Sequence, residues 1–101
     1  MVEVKFTDQS LADIDNIAKF IASNSEKYAK IQVQRFFERV ETLETNPLIG
    51  RIVPEINDKS IRELVMGNYR IIYKLVSITR IDILTIHNSY MLISNSPAFK
   101  K

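Results

Sequence analysis

Residues 61–88 constrain the fold most, because they read as three consecutive strands separated by short turns. The three segments, IRELVM, YRIIYKL and RIDILTIHN, are rich in β-branched and aromatic residues, which favour strands. Gly67 and Asn68 separate the first two segments, and this residue pair tolerates the positive φ angles of a two-residue hairpin turn. The sequence therefore predicts a β-hairpin followed by a third strand.

A two-residue turn also fixes the register of the hairpin, placing Met66 opposite Tyr69 and Glu63 opposite Ile72. Because side chains alternate along a strand, the hairpin has two faces, and one of them is more apolar than the other. We call these the apolar face and the second face. The apolar face is predicted to carry Arg62, Leu64, Met66, Tyr69, Ile71 and Tyr73. The second face is predicted to carry Ile61, Glu63, Val65, Arg70, Ile72 and Lys74.

The third strand extends this assignment if residues 76–79 form the next turn, with Leu75 opposite Arg80. The second face then gains Ile81, Ile83, Thr85 and His87, while the apolar face gains Asp82, Leu84 and Ile86. In this arrangement Glu63, Arg70 and His87 share one open face of the sheet. An acid, a guanidinium and an imidazole on one surface form a candidate functional site.

The residues before this unit predict one strand and two helices. Val2 to Phe6 alternates apolar and charged side chains, as a half-buried strand does. Thr7 and Ser25 are predicted N-caps of two amphipathic helices. The apolar positions are Leu11, Ile14, Ile17, Ala18 and Ile21 in the first helix and Ala29, Val33, Phe36, Val40 and Leu43 in the second.

Asn46-Pro47 is predicted to end the second helix, because the residue before a proline disfavours helical dihedral angles. Residues 48–60 are predicted to be a loop, and residues from about 89 onward a loose tail containing Pro97. The predicted class is α+β, in the order β-α-α-β-β-β, as a single domain over residues 1–101. A mostly antiparallel sheet would carry the helical hairpin on its apolar face.

Charge and composition narrow the functional classes only in part. The net charge of +2 permits a nucleic-acid partner but falls short of the strong positive bias expected of a protein that binds RNA mainly through its phosphates. The absence of cysteine excludes disulfides and thiolate metal sites, and neither a metal nor a cofactor is predicted. No apolar run approaches the roughly 20 residues that cross a bilayer, and no signal peptide is recognised, so a cytoplasmic protein is expected.

Four segments in order resemble the RelE/ParE superfamily of toxins from bacterial type II toxin–antitoxin modules. They are Pro47 to Glu55, Ile61 to Leu64, Tyr69 to Tyr73, and Ile86-His87. The resemblance implies a toxin that arrests growth when it is released from its antitoxin, with which it would form a hetero-oligomer. Gly50-Arg51, Pro54-Glu55 and the Tyr69 to Tyr73 strand look most like the ParE branch, whose members inhibit DNA gyrase and are not hydrolases.

The RelE branch, whose members cut messenger RNA on the ribosome, is the alternative, and it makes the chain an endoribonuclease. Cleavage without a metal needs a base, a cation for the developing phosphorane charge and an acid. By similarity to that branch, Glu55, Arg70 and His87 are the candidate catalytic residues. Arg51, Arg62 and Tyr90 are candidate contacts to phosphate or target. A third alternative is an inactive member that only binds antitoxin.

Each of these residues also has a structural interpretation. Arg70 and Glu63 lie diagonally across the hairpin, where an ion pair would keep an open sheet face soluble. Arg51 and Glu55 would pin their loop to the sheet. Tyr73 would belong to the core with its hydroxyl at the rim, and Gly50 would serve as a turn residue.

Overall fold

The computed structural model describes residues 1–89 and 96–99. Its elements are β1 (Glu3–Phe6), α1 (Asp8–Ala22), α2 (Glu26–Glu41), a short 3-10 helix (Thr42–Glu44), β2 (Arg51–Ile52), β3 (Ile61–Met66), β4 (Tyr69–Ser77) and β5 (Arg80–Asn88). The strands form one sheet in the order β1-β5-β4-β3-β2, in which β1 runs parallel to β5 and the other neighbours are antiparallel. The predicted α+β class is confirmed.

Both helices begin at the predicted caps. The Thr7 hydroxyl accepts a hydrogen bond from the Ser10 amide at 3.2 Å, and the Ser25 hydroxyl accepts one from the Tyr28 amide at 3.2 Å. These bonds satisfy amides that have no partner inside the helix. Within the described residues, no helix is long and apolar enough to span a lipid bilayer.

The helical hairpin packs on the apolar face of the sheet, as predicted. The buried core joins Ile14, Phe36, Val40 and Leu43 of the helical segments to Leu64, Ile71, Tyr73, Ile81, Ile83 and Ile86 of the sheet. Each large apolar side chain buried in this way stabilises the fold by about 1.5–3 kcal/mol relative to its exposed state. The two helices therefore cover the apolar face of the sheet.

The predicted register of the β3–β4 hairpin is confirmed. Met66 pairs with Tyr69, and Glu63 pairs with Ile72. Gly67 adopts a φ of 58°, the left-handed conformation that the tight turn requires. The hairpin therefore places its side chains on the faces that the alternation predicts.

The predicted β4–β5 turn was wrong. Ser77 pairs with Arg80, so the turn contains only residues 78 and 79, and Leu75 pairs with Ile81. Register shifts follow between Leu75 and Ser77 and between Ile72 and Tyr73. A β-bulge adds one unpaired residue and so reverses the alternation on its strand.

The bulges move residues 81–84 of β5 to the faces opposite those predicted. Ile81 and Ile83 lie in the helix-facing core, whereas Leu84 packs on the second face, so the predicted faces of these three residues were wrong. Asp82 pairs with Lys74 and also lies on the second face, contrary to prediction. The predicted faces of Thr85, Ile86 and His87 are confirmed, since these residues pair with Ile72, Ile71 and Arg70.

The second face is covered rather than open, which corrects the sequence prediction. Val53 and Ile56, from the segment after β2, pack with Ile72 and Leu84, and Phe99 packs against the same cluster. The segment between residues 48 and 60 is also not all loop, because Arg51–Ile52 pairs with β3. The predicted loose tail falls mostly on residues 90–95 and 100–101, which lie outside the described residues.

Candidate functional site

Four charged side chains form an ion-pair network on the second face, composed of Arg51, Glu55, Glu63 and Arg70. The two carboxylate oxygens of Glu63 accept hydrogen bonds from different arginines: Oε1 from Arg70 Nε, and Oε2 from Arg51 Nε at 2.5 Å. The outer nitrogens of Arg70, Nη1 and Nη2, donate to Glu55 Oε2 and Oε1 at 2.6 and 2.9 Å. Arg70 thus lies between two carboxylates.

The backbone explains why these residues meet. Arg51 is the register partner of Glu63 across β2 and β3, and Arg70 lies diagonally opposite Glu63 across the hairpin. Glu55 reaches Arg70 from the segment after β2, which turns over the sheet. The structural interpretation therefore holds for the contacts, although the Arg70–Glu63 pair is buried instead of solvating an open face.

The network combines a buried centre with an exposed rim. The side chains of Glu63 and Arg70 are 0% and 9% exposed, whereas those of Glu55 and Arg51 are 44% and 64% exposed. A buried charge pair recovers the cost of leaving water only when its remaining donors and acceptors are also bound. Arg51 and Glu55 supply those bonds, and the four formal charges cancel.

The contact between Glu55 and Arg70 shifts the pKa of both groups. The hydrogen bond from Arg70 lowers the pKa of Glu55 from 4.5 to about 2. The same hydrogen bond to Glu55 raises the pKa of Arg70, because it stabilises the charged guanidinium. At neutral pH a carboxylate with so low a pKa is a weak proton acceptor.

The candidate catalytic residues lie together. Glu55 contacts Arg70 directly, and His87 is the register partner of Arg70 on β5. His87 is 4% exposed and Arg70 is 8% exposed, so neither presents an open surface. A phosphate that took the two-bond geometry now made by Glu55 would have to displace Glu55 from Arg70.

The structure does not bring the candidate contacts to phosphate or target together. Arg51 flanks the network at its exposed rim. Arg62 is the register partner of Tyr73, which places it on the helix-facing side, and its Nη1 donates to the Gly50 carbonyl at 2.9 Å. Tyr90 lies outside the described residues.

A tyrosine anchor holds the segment that carries Arg51, and its contacts were not predicted from the sequence. Tyr73 Oη donates to the Pro47 carbonyl at 2.9 Å and accepts from the Gly50 amide at 3.0 Å. The tyrosine is fully buried, not at the rim, and this burial raises the pKa of Tyr73. A Cβ on Gly50 would lie 2.5 Å from Tyr73 Oη and 2.6 Å from the Glu63 carbonyl oxygen, so a close approach explains this glycine.

A second polar cluster, around Asp13 of α1, was not predicted from the sequence. Asp13 Oδ2 accepts hydrogen bonds from the Thr85 hydroxyl and from the Ile86 amide, the latter at 3.1 Å. The Ser96 hydroxyl donates to Thr85 Oγ1 at 3.1 Å. This chain of bonds ties α1 and residue 96 to the same point of β5.

Residues 4–91 match the family model for the ParE toxin of the type II toxin–antitoxin system parDE. The chain belongs to the ParE toxin family. It is therefore a toxin of a type II toxin–antitoxin module within the ParE/RelE superfamily, as the sequence resemblance implied. No curated protein matches this ParE-family chain.

Solved structures of the same fold support the architecture. The chromosomal ParDE toxin–antitoxin system of P. aeruginosa is similar, with a TM-score of 0.72 and 24% identity over 87% of this chain and 96% of that one. The toxin–antitoxin complex RelBE2 of Mycobacterium tuberculosis is similar, with a TM-score of 0.62 and 18% identity over 86% and 96% of the two chains. At these identities the two similarities establish the fold of the ParE-family chain.

Proposed function

We propose that this toxin is held inactive by a cognate antitoxin and, once free, arrests growth by inhibiting DNA gyrase. Membership of the ParE family supports DNA gyrase as the target. The structural observation that carries the proposal is the pairing of Glu55 with Arg70. That pair occupies the two nitrogens that a nuclease would direct at the scissile phosphate.

Charge and exposure support a protein target over an RNA target. The net charge of +2 is small for a protein that would dock on ribosomal RNA. The four charges of the ion-pair network cancel, so the network adds little positive potential to the second face. A protein surface can be recognised through shape and apolar contact without such a field.

Ribosome-dependent cleavage of messenger RNA is the second candidate, and one observation favours it. Glu55, Arg70 and His87 lie on adjacent elements of one face, and the first two are in contact. In that mechanism a ribosome-bound message would displace Glu55 from Arg70. Glu55 or Glu63 would act as the base, Arg70 would stabilise the phosphorane, and His87 would protonate the leaving oxygen.

An antitoxin partner is supported by the solved structures of similar fold, which are toxin–antitoxin complexes. A groove of about 570 Å³ between α1 and α2 offers an apolar surface to it, and the groove floor includes Ala18, Ala22, Ala29 and Val33. Small side chains let an apolar helix approach closely. An amphipathic antitoxin helix would bury this groove and form a hetero-oligomer.

The decisive experiment is a gyrase supercoiling and cleavage-complex assay with the purified toxin, run beside a ribosome-programmed messenger RNA cleavage assay. We expect inhibition of gyrase and no cleavage. Gyrase inhibition absent at toxin concentrations well above that of the enzyme would refute the proposal. Cleavage of the message would establish the nuclease, and inactivity in both assays would point to a member that only binds antitoxin.

Glu55→Gln is the matched variant for this experiment, because Glu55 is exposed enough to be replaced without opening the core. A gyrase inhibitor should keep its potency within about threefold, the scale of one exposed ion pair. A nuclease that uses Glu55 as its base should lose at least about a hundredfold in cleavage rate. Lys59→Ala, which removes an exposed charge from the same segment, serves as the control.

A further inference from the structure

A small pocket lies between α2 and the tip of the β3–β4 hairpin. Its volume is about 240 Å³, and its lining residues are Gln32, Arg35, Met66, Gly67, Asn68 and Tyr69. This volume is below the roughly 300–1,000 Å³ of pockets for drug-sized ligands, so the pocket suits one small group. We call it the hairpin-tip pocket. Met66 and Tyr69 place it on the helix-facing side of the sheet, so it is distinct from the ion-pair network on the second face.

The polar side chains of the hairpin-tip pocket have hydrogen-bonding groups to spare. The other two glutamines of the chain each donate to a carboxylate four residues further on, at 2.8 and 3.0 Å. Gln32 has Phe36 at that spacing, so its amide stays available. Over the residues that the structure describes, the side chains of Arg35 and Asn68 and the hydroxyl of Tyr69 likewise form no hydrogen bond.

The pocket contains one cation and no carboxylate among its lining residues. Arg35 is exposed, and within residues 1–89 and 96–99 no carboxylate lies within ion-pair distance of it. Arg39 follows one turn later but lies in the last turn of α2, where it compensates the helix dipole. An oxyanion at Arg35 would receive charge-assisted hydrogen bonds, with the amide donors of Gln32 and Asn68 beside it.

The remaining wall of the pocket is aromatic and apolar. The ring of Tyr69 packs edge-to-face on the buried ring of Phe36, with 5.2 Å between centroids and 84° between planes, and this contact fixes its orientation. Nucleic-acid bases stack on such rings, and the amides of Gln and Asn bond to base edges. An acidic side chain would use Arg35 and leave the ring without a partner. The combination of groups therefore favours a nucleotide over a carboxylate.

We propose that the hairpin-tip pocket binds one unpaired nucleotide of the DNA that gyrase holds. Arg35 would bind the phosphate, and Tyr69 would stack on the base. The amides of Gln32 and Asn68 would bond to the base edge. The nucleotide chemistry follows from the pocket, whereas the choice of DNA rests on the proposed function. One cation matches one phosphate, so this contact is compatible with the small net charge and would add to docking on the gyrase protein.

The first test is an NMR titration of the full toxin with thymidine 5′-monophosphate, thymidine, inorganic phosphate and acetate. We expect the nucleotide to shift the amide signals of Gly67, Asn68 and Tyr69. It should bind at least about tenfold more tightly than thymidine or phosphate alone, a factor within the range for stacking of one base on an aromatic side chain. Acetate binding as tight as that of the nucleotide, or shifts confined to other parts of the chain, would overturn the proposal.

Two arginine variants separate the pocket from general attraction to charge. Arg35→Ala should weaken nucleotide binding about tenfold, through loss of the charge-assisted bond to the phosphate. Arg39→Ala removes the same charge one turn away and should stay within about twofold of the unmodified toxin. Equal losses in the two variants would overturn the proposal.

A third variant, Tyr69→Leu, tests the stacking surface. It should abolish the preference for the nucleotide over inorganic phosphate, because leucine offers no aromatic face. A retained preference would overturn the role of the ring. Should Tyr69→Leu fail to fold, the comparison of ligands and the pair of arginine variants still decide the proposal.

The gyrase cleavage-complex assay tests the choice of DNA. Arg35→Ala should raise the toxin concentration for half-maximal effect at least about threefold, whereas Arg39→Ala should leave it unchanged. Equal potency of the unmodified toxin and both variants would overturn the assignment to DNA. A toxin without any effect on gyrase would refute the proposed function instead, and the nucleotide titration would still decide the chemistry of the pocket.

Discussion

Glu55 and Arg70 form a two-bond ion pair, with oxygen–nitrogen distances of 2.6 and 2.9 Å, that holds the segment after β2 against the second face of the sheet. Arg70 is nearly buried, so its permanent positive charge is compensated by this pair and by Glu63 behind it. The pair has two consequences. It closes the candidate catalytic surface in the free chain, and it makes the stability of the fold depend on pH.

Glu55→Gln should change how stability responds to acid. The pKa of Glu55 is about 2 in the folded chain and 4.5 ordinarily, so the folded state favours the carboxylate. The stabilisation is complete above pH 4.5 and is lost as the pH falls from there towards 2. Because Glu55 is partly exposed, we expect a contribution of at most about 1 kcal/mol.

The measurement is the free energy of urea unfolding of the two proteins between pH 7 and about pH 2. The unmodified chain should lose its advantage over the Gln variant as the pH falls below about 4.5. A constant difference across this range would show that the Glu55–Arg70 bonds do not form in solution.

Glu63→Ala should be the most damaging change in the ion-pair network. Glu63 is buried and accepts from both Arg70 and Arg51, so its loss leaves the buried guanidinium of Arg70 with Glu55 alone. Breaking a buried pair costs about 3–5 kcal/mol, since one charge remains without compensation. Arg51→Ala, at the exposed end of the same network, should cost less than about 1 kcal/mol.

Chemical unfolding at neutral pH would compare the two variants. Similar losses in both would mean that Glu63 is no better shielded from water than Arg51. A third variant, Glu63→Leu/Arg70→Met, should recover part of the loss of Glu63→Ala, because it removes both buried charges together.

The β3–β4 hairpin could be predicted to the residue because its register depends on a local signal, the Gly67-Asn68 turn. The β4–β5 hairpin could not, because its bulges depend on tertiary packing. Turning Ile81 and Ile83 into the helix-facing core buries two large apolar side chains, and an extra residue on each strand accommodates this change. A prediction from strict alternation along each strand does not include the free energy gained by burying Ile81 and Ile83.

The membership of the candidate site was predicted in part, and its accessibility was not. The shared face of Glu63, Arg70 and His87 followed from alternation and pairing, which are local properties. Its burial depends on the segment containing Val53 and on Phe99, which cross the sheet from distant parts of the chain. Neither segment has a periodic pattern that would reveal its packing, and the Tyr73 anchor that holds the first one is equally long-range.

Alanine substitution at the two glycines should have unequal effects for different reasons. Gly67 has open space around its missing Cβ but a φ of 58°, so Gly67→Ala should cost about 1 kcal/mol of backbone strain. At Gly50 the added Cβ would meet the Tyr73 hydroxyl and the β3 backbone within 2.6 Å. Overpacking of this kind costs about 1–3 kcal/mol, and displacing the hydroxyl also breaks its hydrogen bonds.

Thermal and urea unfolding would rank these variants, and we expect Gly50→Ala to be the less stable. Tyr73→Phe provides the comparison at the anchor, since it deletes the hydroxyl and leaves the ring. Should Gly50→Ala prove as stable as Gly67→Ala, the segment before β2 must be able to move away from the sheet.

Thr85→Val should release residue 96 from the sheet while leaving the main core intact. Valine keeps the shape of threonine but cannot donate to Asp13 or accept from Ser96. Loss of this partner by the buried Ser96 hydroxyl and the half-buried Asp13 carboxylate costs about 1–3 kcal/mol. Thr79→Val, in the exposed turn between β4 and β5, is the control and should stay within about 0.5 kcal/mol of the unmodified chain.

Amide exchange would distinguish this local release from general destabilisation. In Thr85→Val the amides of Ala98 and Phe99, which bond to Ser96, should exchange faster. The Ile86 amide should remain protected, because Asp13 still accepts from it. Unchanged exchange at residues 98 and 99 would show that Phe99 packing, and not the bond from Ser96 to Thr85, holds this segment on the second face.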